Sequence, residues 1–210
     1  MKKIICLIAG LFQLSCASQL NNKNSTKEYT LSSNEKNIIS DFINEEFSSK
    51  KYNNYKNYKI YLRRKGFSEF SPLLIYGFCY DERNNKVRTA NNKYWILNKE
   101  QLKTIKDTLQ IKNFTWKETD ITNFRVSMID SEDVNNSIKK GGDYEQYNES
   151  LILSLSTPVL INKNNAFLTY LCVEALYGFS TFDFYAVLLK KNKNGKWLID
   201  SYYYDPNSSW

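Results

Sequence analysis

Glu174, Asp183 and Asp200 are the carboxylates best placed for acid–base chemistry in this chain. Glu174 ends one alternating apolar run, Asp183 lies near the start of the next, and Asp200 sits in the last. If Glu174 and Asp183 flank the 175–182 segment, they face each other across a rim. Paired carboxylates run general acid–base hydrolysis when their surroundings split their pKa values. The competing reading, and the preferred one, is that all three are strand-end charges or turn acceptors. The chain has no histidine. That removes Ser-His-Asp and Cys-His hydrolysis and every zinc site that uses His. The only Gly-Gly pair, Gly141-Gly142, lacks the Lys-Ser/Thr continuation of a phosphate loop. Asp130, Glu132 and Asp133 lack the oxygen spacing of a calcium loop. Neither a metal nor a cofactor is expected.

Aromatic residues offer a different kind of chemistry. The chain holds 16 Tyr and 4 Trp, and Tyr202, Tyr203 and Tyr204 are consecutive. Tyrosine combines broad apolar contact with a hydroxyl, which suits protein and glycan partners alike. In an unbroken strand, Trp197, Ile199, Ser201 and Tyr203 share one face, and Leu198, Asp200, Tyr202 and Tyr204 the other. Asp200 resists full burial unless paired. The face with Trp197 and Ile199 is therefore expected in the core. Tyr202, then Tyr204, become the first candidates for a binding surface.

Those residues need elements to position them. Ser32-x-x-Glu35 has the form of a capping box, and Ile38, Ile39, Phe42, Ile43 and Phe47 follow on one helical stripe. The pattern predicts a helix over 34–47. Asn98-x-x-Gln101, followed by Leu102, Ile105 and Leu109, predicts another to about residue 110. The stretch 51–58, KYNNYKNY, is polar and aromatic. Residues 59–63, 73–80 and 125–129 read as strands. The last third is clearer, with strands at 151–155, 167–174, 182–190 and 197–203. Asn162 to Asn165 marks one turn and Asn194-Gly195 the final one, a strong hairpin signal. Short turns between strands imply antiparallel pairing. The expected fold is α+β, with N-terminal helices packed on an antiparallel, meander-like C-terminal sheet.

Lys2 and Lys3, the apolar 4–14 run and the small residues Ser15, Cys16, Ala17 and Ser18 have the layout of a secretory signal. The run is too short to span a bilayer. Cleavage after Ala17 releases the chain. Cleavage before Cys16, with lipid attached to its sulfur, resembles a bacterial lipoprotein signal. The second route is favoured, because Cys16 is followed by a polar tether. The expected organisation is a signal peptide over 1–17, a tether over 18–33 and one α+β domain over 34–210. Formal net charge is +7, from 29 Lys+Arg and 22 Asp+Glu. Loss of Lys2 and Lys3 with the signal leaves 27 against 22, or +5. This modest excess favours solubility and contact with acidic surfaces. Arg63-Arg64-Lys65 is read as a solvated face, so nucleic acid is not an expected partner. Cys79 and Cys172 remain after processing. An oxidising compartment permits a disulfide between them, and two buried thiols are the equal alternative.

The stretch from Leu151 to Asp200, with Ser156-Thr157-Pro158-Val159, a strand, a Gly-containing loop and Gly195-Lys196-Trp197, resembles the end of a group of uncharacterised exported proteins from Bacteroidota. The resemblance covers about 50 residues of the 210-residue chain. It implies a C-terminal antiparallel hairpin sheet and no activity. Cys172 fits a position where these proteins often carry Cys, and a second Cys that some have in the Gly loop is absent here. The combined reading is a non-catalytic cell-envelope binding or interaction domain, anchored through Cys16 and facing the periplasm or cell surface. Its partner is an envelope protein or glycan. The alternative is a carboxylate hydrolase acting on a glycan or another envelope polymer.

Overall fold

The computed structural model describes residues 29–68, 71–84, 95–109, 114–121, 126–130, 132–133, 147, 149–174 and 180–204; for 82–84 and 180–183 it describes the backbone alone. Among them, helix α1 spans Ser33–Glu46, and the expected capping box forms. The Glu35 amide donates to Ser32 Oγ at 3.3 Å, and the Ser32 amide donates to Glu35 Oε2 at 2.8 Å. Two residues at the end of the expected tether are already packed. Leu31 is buried, and the Tyr29 hydroxyl donates to Glu35. Helix α2 spans Ser71–Asn84 and α3 spans Lys99–Thr108, the latter opened by the Asn98/Gln101 box.

Helix α2 corrects the expectation of a strand at 73–80. A short, unbroken apolar run does not distinguish a buried strand from a buried helix. Pro72 in the first turn is compatible with a helix start, where its missing N–H is not needed. The buried residues Leu73, Tyr76 and Cys79 then recur at helical spacing. Gly77 lets α3 approach closely, because a Cβ there would lie 3.0 Å from Leu102 Cδ2.

Strands β1 (Lys59–Arg63), β2 (Val126–Ile129), β3 (Ser150–Leu155), β4 (Val159–Asn162), β5 (Asn165–Glu174), β6 (Ser180–Lys191) and β7 (Trp197–Tyr203) form one sheet. Its order is β2-β1-β3-β5-β6-β7, with β4 also pairing β5. The C-terminal part from β3 through β5 and β6 to β7 is antiparallel, as expected. Beside β3 the sheet becomes mixed, because β1 pairs in parallel with both β3 and β2. The fold is therefore α+β, with α1–α3 preceding most of the sheet. Gly195, at φ +82°, completes the last turn, where the Asn192 side chain accepts the Asn194 and Lys196 amides.

Both faces of the sheet are covered. Ile38, Ile39, Phe42 and Ile43 of α1 pack with Leu153, Leu168, Tyr170, Val187 and Trp197. On the opposite face, Leu73 and Tyr76 of α2 pack with Phe167, Leu188 and Tyr203. The period-2 alternation of strand side chains accounts for the division. Cys172 belongs to the α1 side and Cys79 to the α2 side, so the two buried thiols do not form a disulfide.

Strand β7 breaks the alternation expected of it. Leu188 pairs with Ser201, but Leu189 pairs with Ile199, leaving Asp200 as an extra residue. A bulge of this kind shifts the side-chain parity on either side of it. Trp197 consequently lies in the α1 cluster, with Ile199 packed against it, whereas Tyr203 lies in the α2 cluster. The expectation that Trp197 and Tyr203 share a face is overturned. Both are fully buried, on opposite sides of the sheet.

Candidate functional site

The C-terminal end of α1 meets the end of β7. Three acids of α1, Asp41, Glu45 and Glu46, organise this junction. β7 is an edge strand, and unpaired edge N–H groups invite association with other chains. Here Asp41 Oδ2 accepts the Trp197 amide at 2.8 Å, and Glu45 Oε1 accepts the Ile199 amide at 3.1 Å. One helical turn separates the two acids, so they occupy one face of α1 and reach two alternate amides of β7.

Glu46 follows Ile39, Phe42 and Ile43 on the buried side of α1 and is only 1% exposed. A carboxylate in that position requires partners. The Tyr170 hydroxyl donates to Oε1 at 2.7 Å, and the Tyr202 hydroxyl donates to Oε2 at 2.6 Å. Lys51 Nζ lies 3.7 Å from Oε1. Glu46 thus ties α1 to β5 and β7 through short, charge-assisted hydrogen bonds.

Tyr185 of β6 stands between these strands. Its ring centroid lies 5.9 Å from Tyr170, 5.5 Å from Tyr202 and 5.7 Å from Tyr204. Lys51 Nζ sits 5.0 Å from the Tyr185 centroid, within cation–π range. Tyr170 is fully buried beneath the cluster, while Tyr202 is 37% and Tyr204 38% exposed. The sequence-selected pair is thus part of a larger unit: an exposed tyrosine surface braced from below by a buried carboxylate.

A second group of tyrosines adjoins it. The 3₁₀ segment Lys50–Tyr55 carries Lys51, Tyr52 and Tyr55, and Tyr58 follows shortly after. A 3₁₀ helix repeats about every three residues, which brings side chains three apart together. Tyr52 and Tyr55 have centroids 6.2 Å apart, and Tyr55 and Tyr58 have theirs 5.0 Å apart. Lys51 also lies 5.5 Å from the Tyr52 ring, linking this series to Tyr185.

The three candidate catalytic acids are distributed along the sheet. Glu174 pairs in register with Ser180, and Asp183 with Cys172, so their backbones lie two rungs apart. The Asp183 side chain lies outside the described residues. Glu174 Oε2 accepts the Tyr55 hydroxyl at 3.1 Å, and burial followed by this bond raises the Tyr55 pKa. Asp200 lies beside Leu188 and Leu189, far along β6 from Ser180. At ~3.3 Å per residue, roughly 30 Å of strand separates its rung from that of Glu174. Asp200 bonds instead to Lys190 at 2.9 Å and accepts the Ser201 hydroxyl at 2.8 Å. No cluster of three or more metal-binding acids or cysteines occurs among the described residues.

Sequence reasoning selected Tyr202 and Tyr204 but missed Glu46, Lys51, Tyr170 and Tyr185. The available signal was Glu46 itself, an acid placed three residues after Ile43 and seven after Ile39, where the buried stripe calls for an apolar residue. Cys16, the proposed lipid attachment site, lies outside the described residues. No helix among the described residues is long and apolar enough to cross a membrane. No protein-family model, curated protein or solved structure matches the chain, so the site rests on its own geometry.

Proposed function

We propose that this protein is a non-catalytic binding domain of the cell envelope, held by lipid on Cys16, and that Tyr202 and Tyr204 contact its partner. The observation that carries this reading is the bond from Tyr202 to the buried Glu46 carboxylate. An exposed aromatic side chain is ordinarily free to rotate, and immobilising it on binding costs entropy. Tyr202 is already fixed by Glu46 and by the Tyr185 ring. Preorganisation of this kind lowers the cost of binding, and tyrosines are common contact residues in binding surfaces.

The test is capture from solubilised envelope extracts with the immobilised mature chain. The wild type should retain a saturable component that the Y202A/Y204A double variant retains at least 10-fold less well. Equal capture by a folded double variant contradicts the assignment of the surface.

A further inference from the structure

The tyrosine surface has a charged border. Residues 47–68 contain seven Lys and Arg and no Asp or Glu. Part of this charge is neutralised or withdrawn from solvent. Arg64 pairs with Glu118 at 3.4 Å and with Asp130 at 3.5 Å. Arg63 is half-buried, and burial lowers its pKa. Lys51 faces Glu46. Lys50 and Lys56 differ: they are exposed and, among the described residues, form no ion pair. Lys59 and Lys65 are exposed as well, but Lys59 alternates with Ile60 and so shares the Tyr61 side of β1, away from α1, and Lys65 follows the far end of that strand. Lys50 and Lys56 bracket Tyr52 and Tyr55 in sequence, and the rings of Tyr58, Tyr55 and the buried Tyr52 run toward Lys51 and then Tyr185. Glu149, whose carbonyl accepts the Lys59 amide, is exposed, and two other acids beside this strip are engaged locally. Glu46 is turned inward to Tyr170 and Tyr202, and Glu174 accepts from Tyr55.

We infer that the strip binds an acidic polysaccharide. This inference rests on the reading of the protein as an envelope-binding domain and names the ligand's chemical class. Tyr55, Tyr58, Tyr202 and Tyr204 offer apolar faces and edges to sugar rings, while Lys50 and Lys56 meet carboxylate or sulfate groups. A polymer fits better than a single sugar. From Tyr58 through Tyr55, Tyr52, Lys51 and Tyr185 to Tyr204, each step spans between 5.0 and 6.2 Å. A membrane surface is a poorer fit, because interfacial binding buries apolar side chains beside the cations. Among the described residues, the exposed large aliphatic side chains are Leu74 on α2 and Leu160 on β4, neither of them on this strip. The signal-like N-terminus argues against nucleic acid as the polyanion.

Affinity electrophoresis of the mature chain through polygalacturonate and through its methyl-esterified, uncharged counterpart tests the inference. Vesicles of phosphatidylglycerol with phosphatidylcholine, and an oligothymidylate, serve as the competing anionic surfaces. Polygalacturonate should bind at least 10-fold more tightly than the esterified chain and weaken as salt rises. K50A/K56A, both exposed substitutions, should lose at least 10-fold of that binding while melting like wild type. Y202A/Y204A should also weaken it. Equal binding of both polysaccharides with loss in Y202A/Y204A overturns the charge inference and leaves the binding-domain reading standing. No binding to either polysaccharide overturns the inference. Binding to vesicles or oligothymidylate as tight as to polygalacturonate, or an unaffected double-lysine variant, overturns it as well. Envelope capture that depends on Tyr202 and Tyr204 then judges the broader reading separately.

Discussion

The Tyr202 hydroxyl donates to Glu46 Oε2 at 2.6 Å across 156 residues of sequence. This bond joins the last turn of the first helix to the last strand of the sheet. It makes an exposed side chain part of the scaffold, so the fold and the proposed recognition surface meet at one atom pair.

Truncation at two positions on the α1 side of β7, one in the core and one at the surface, separates packing from the proposed recognition. Trp197→Ala removes a fully buried ring from the α1 cluster and should cost about 3–5 kcal/mol. Tyr202→Ala removes a partly exposed ring and one bond to Glu46, and should cost roughly 1–2 kcal/mol. Urea melts of the two variants measure both. A larger loss for Y202A than for W197A contradicts the assignment.

Glu46→Gln keeps the shape but removes the charge that two hydroxyls and Lys51 share. A loss of about 1–3 kcal/mol is expected, because hydrogen bonds to a charged acceptor exceed neutral ones and a buried amide must place its own donors. Tyr170→Phe should show part of that loss. In a double-mutant cycle the E46Q and Y170F effects should be non-additive. Full additivity contradicts direct coupling.

Alkaline pH should destabilise the fold through Tyr203. Burial, followed by neighbouring Tyr76, raises its pKa well above the ordinary value of 10.0. The unfolded chain loses the phenolic proton near pH 10 while the folded chain retains it. Stability is therefore fully present below pH 10 and declines as pH rises beyond it, by about 1.4 kcal/mol per pH unit for one such tyrosine. Tyr203→Phe keeps the ring and should make the alkaline decline shallower. Melts between pH 8 and 11.5 check this; an unchanged slope in Y203F contradicts it.

The anchor makes its own prediction. Cys16→Ala should release the mature protein from the membrane fraction, and mass spectrometry of the wild type should find a lipidated Cys16 at the N-terminus. A free N-terminus at Ser18 without lipid contradicts the anchor and leaves export intact.

Local signals in the sequence located most elements. Ser32/Glu35 and Asn98/Gln101 marked two helix starts, because capping boxes are short-range chemistry. Asn194-Gly195 marked the final hairpin for the same reason. The helix at Ser71–Asn84 was misread because its continuous apolar run lacks a distinguishing period. The parallel pairing of β1 with β3 was not legible, since it joins Lys59–Leu62 to Ser150–Leu153 over a long separation. The bulge at Asp200 depends on pairing with β6 rather than on a local motif, so the two faces beyond it were exchanged. Tyr202 and Tyr204 were legible as exposed tyrosines, but the Glu46 brace beneath them exists only through tertiary packing.

Hydroxyl-radical footprinting of the mature chain, with and without a saturating envelope fraction, tests the central claim most directly. Peptides carrying Tyr185, Tyr202 and Tyr204 should be protected at least 3-fold on binding, while the exposed Leu74 on the α2 side should react unchanged. Protection centred on Leu74 and α2, with the three tyrosines unaffected, would contradict the account.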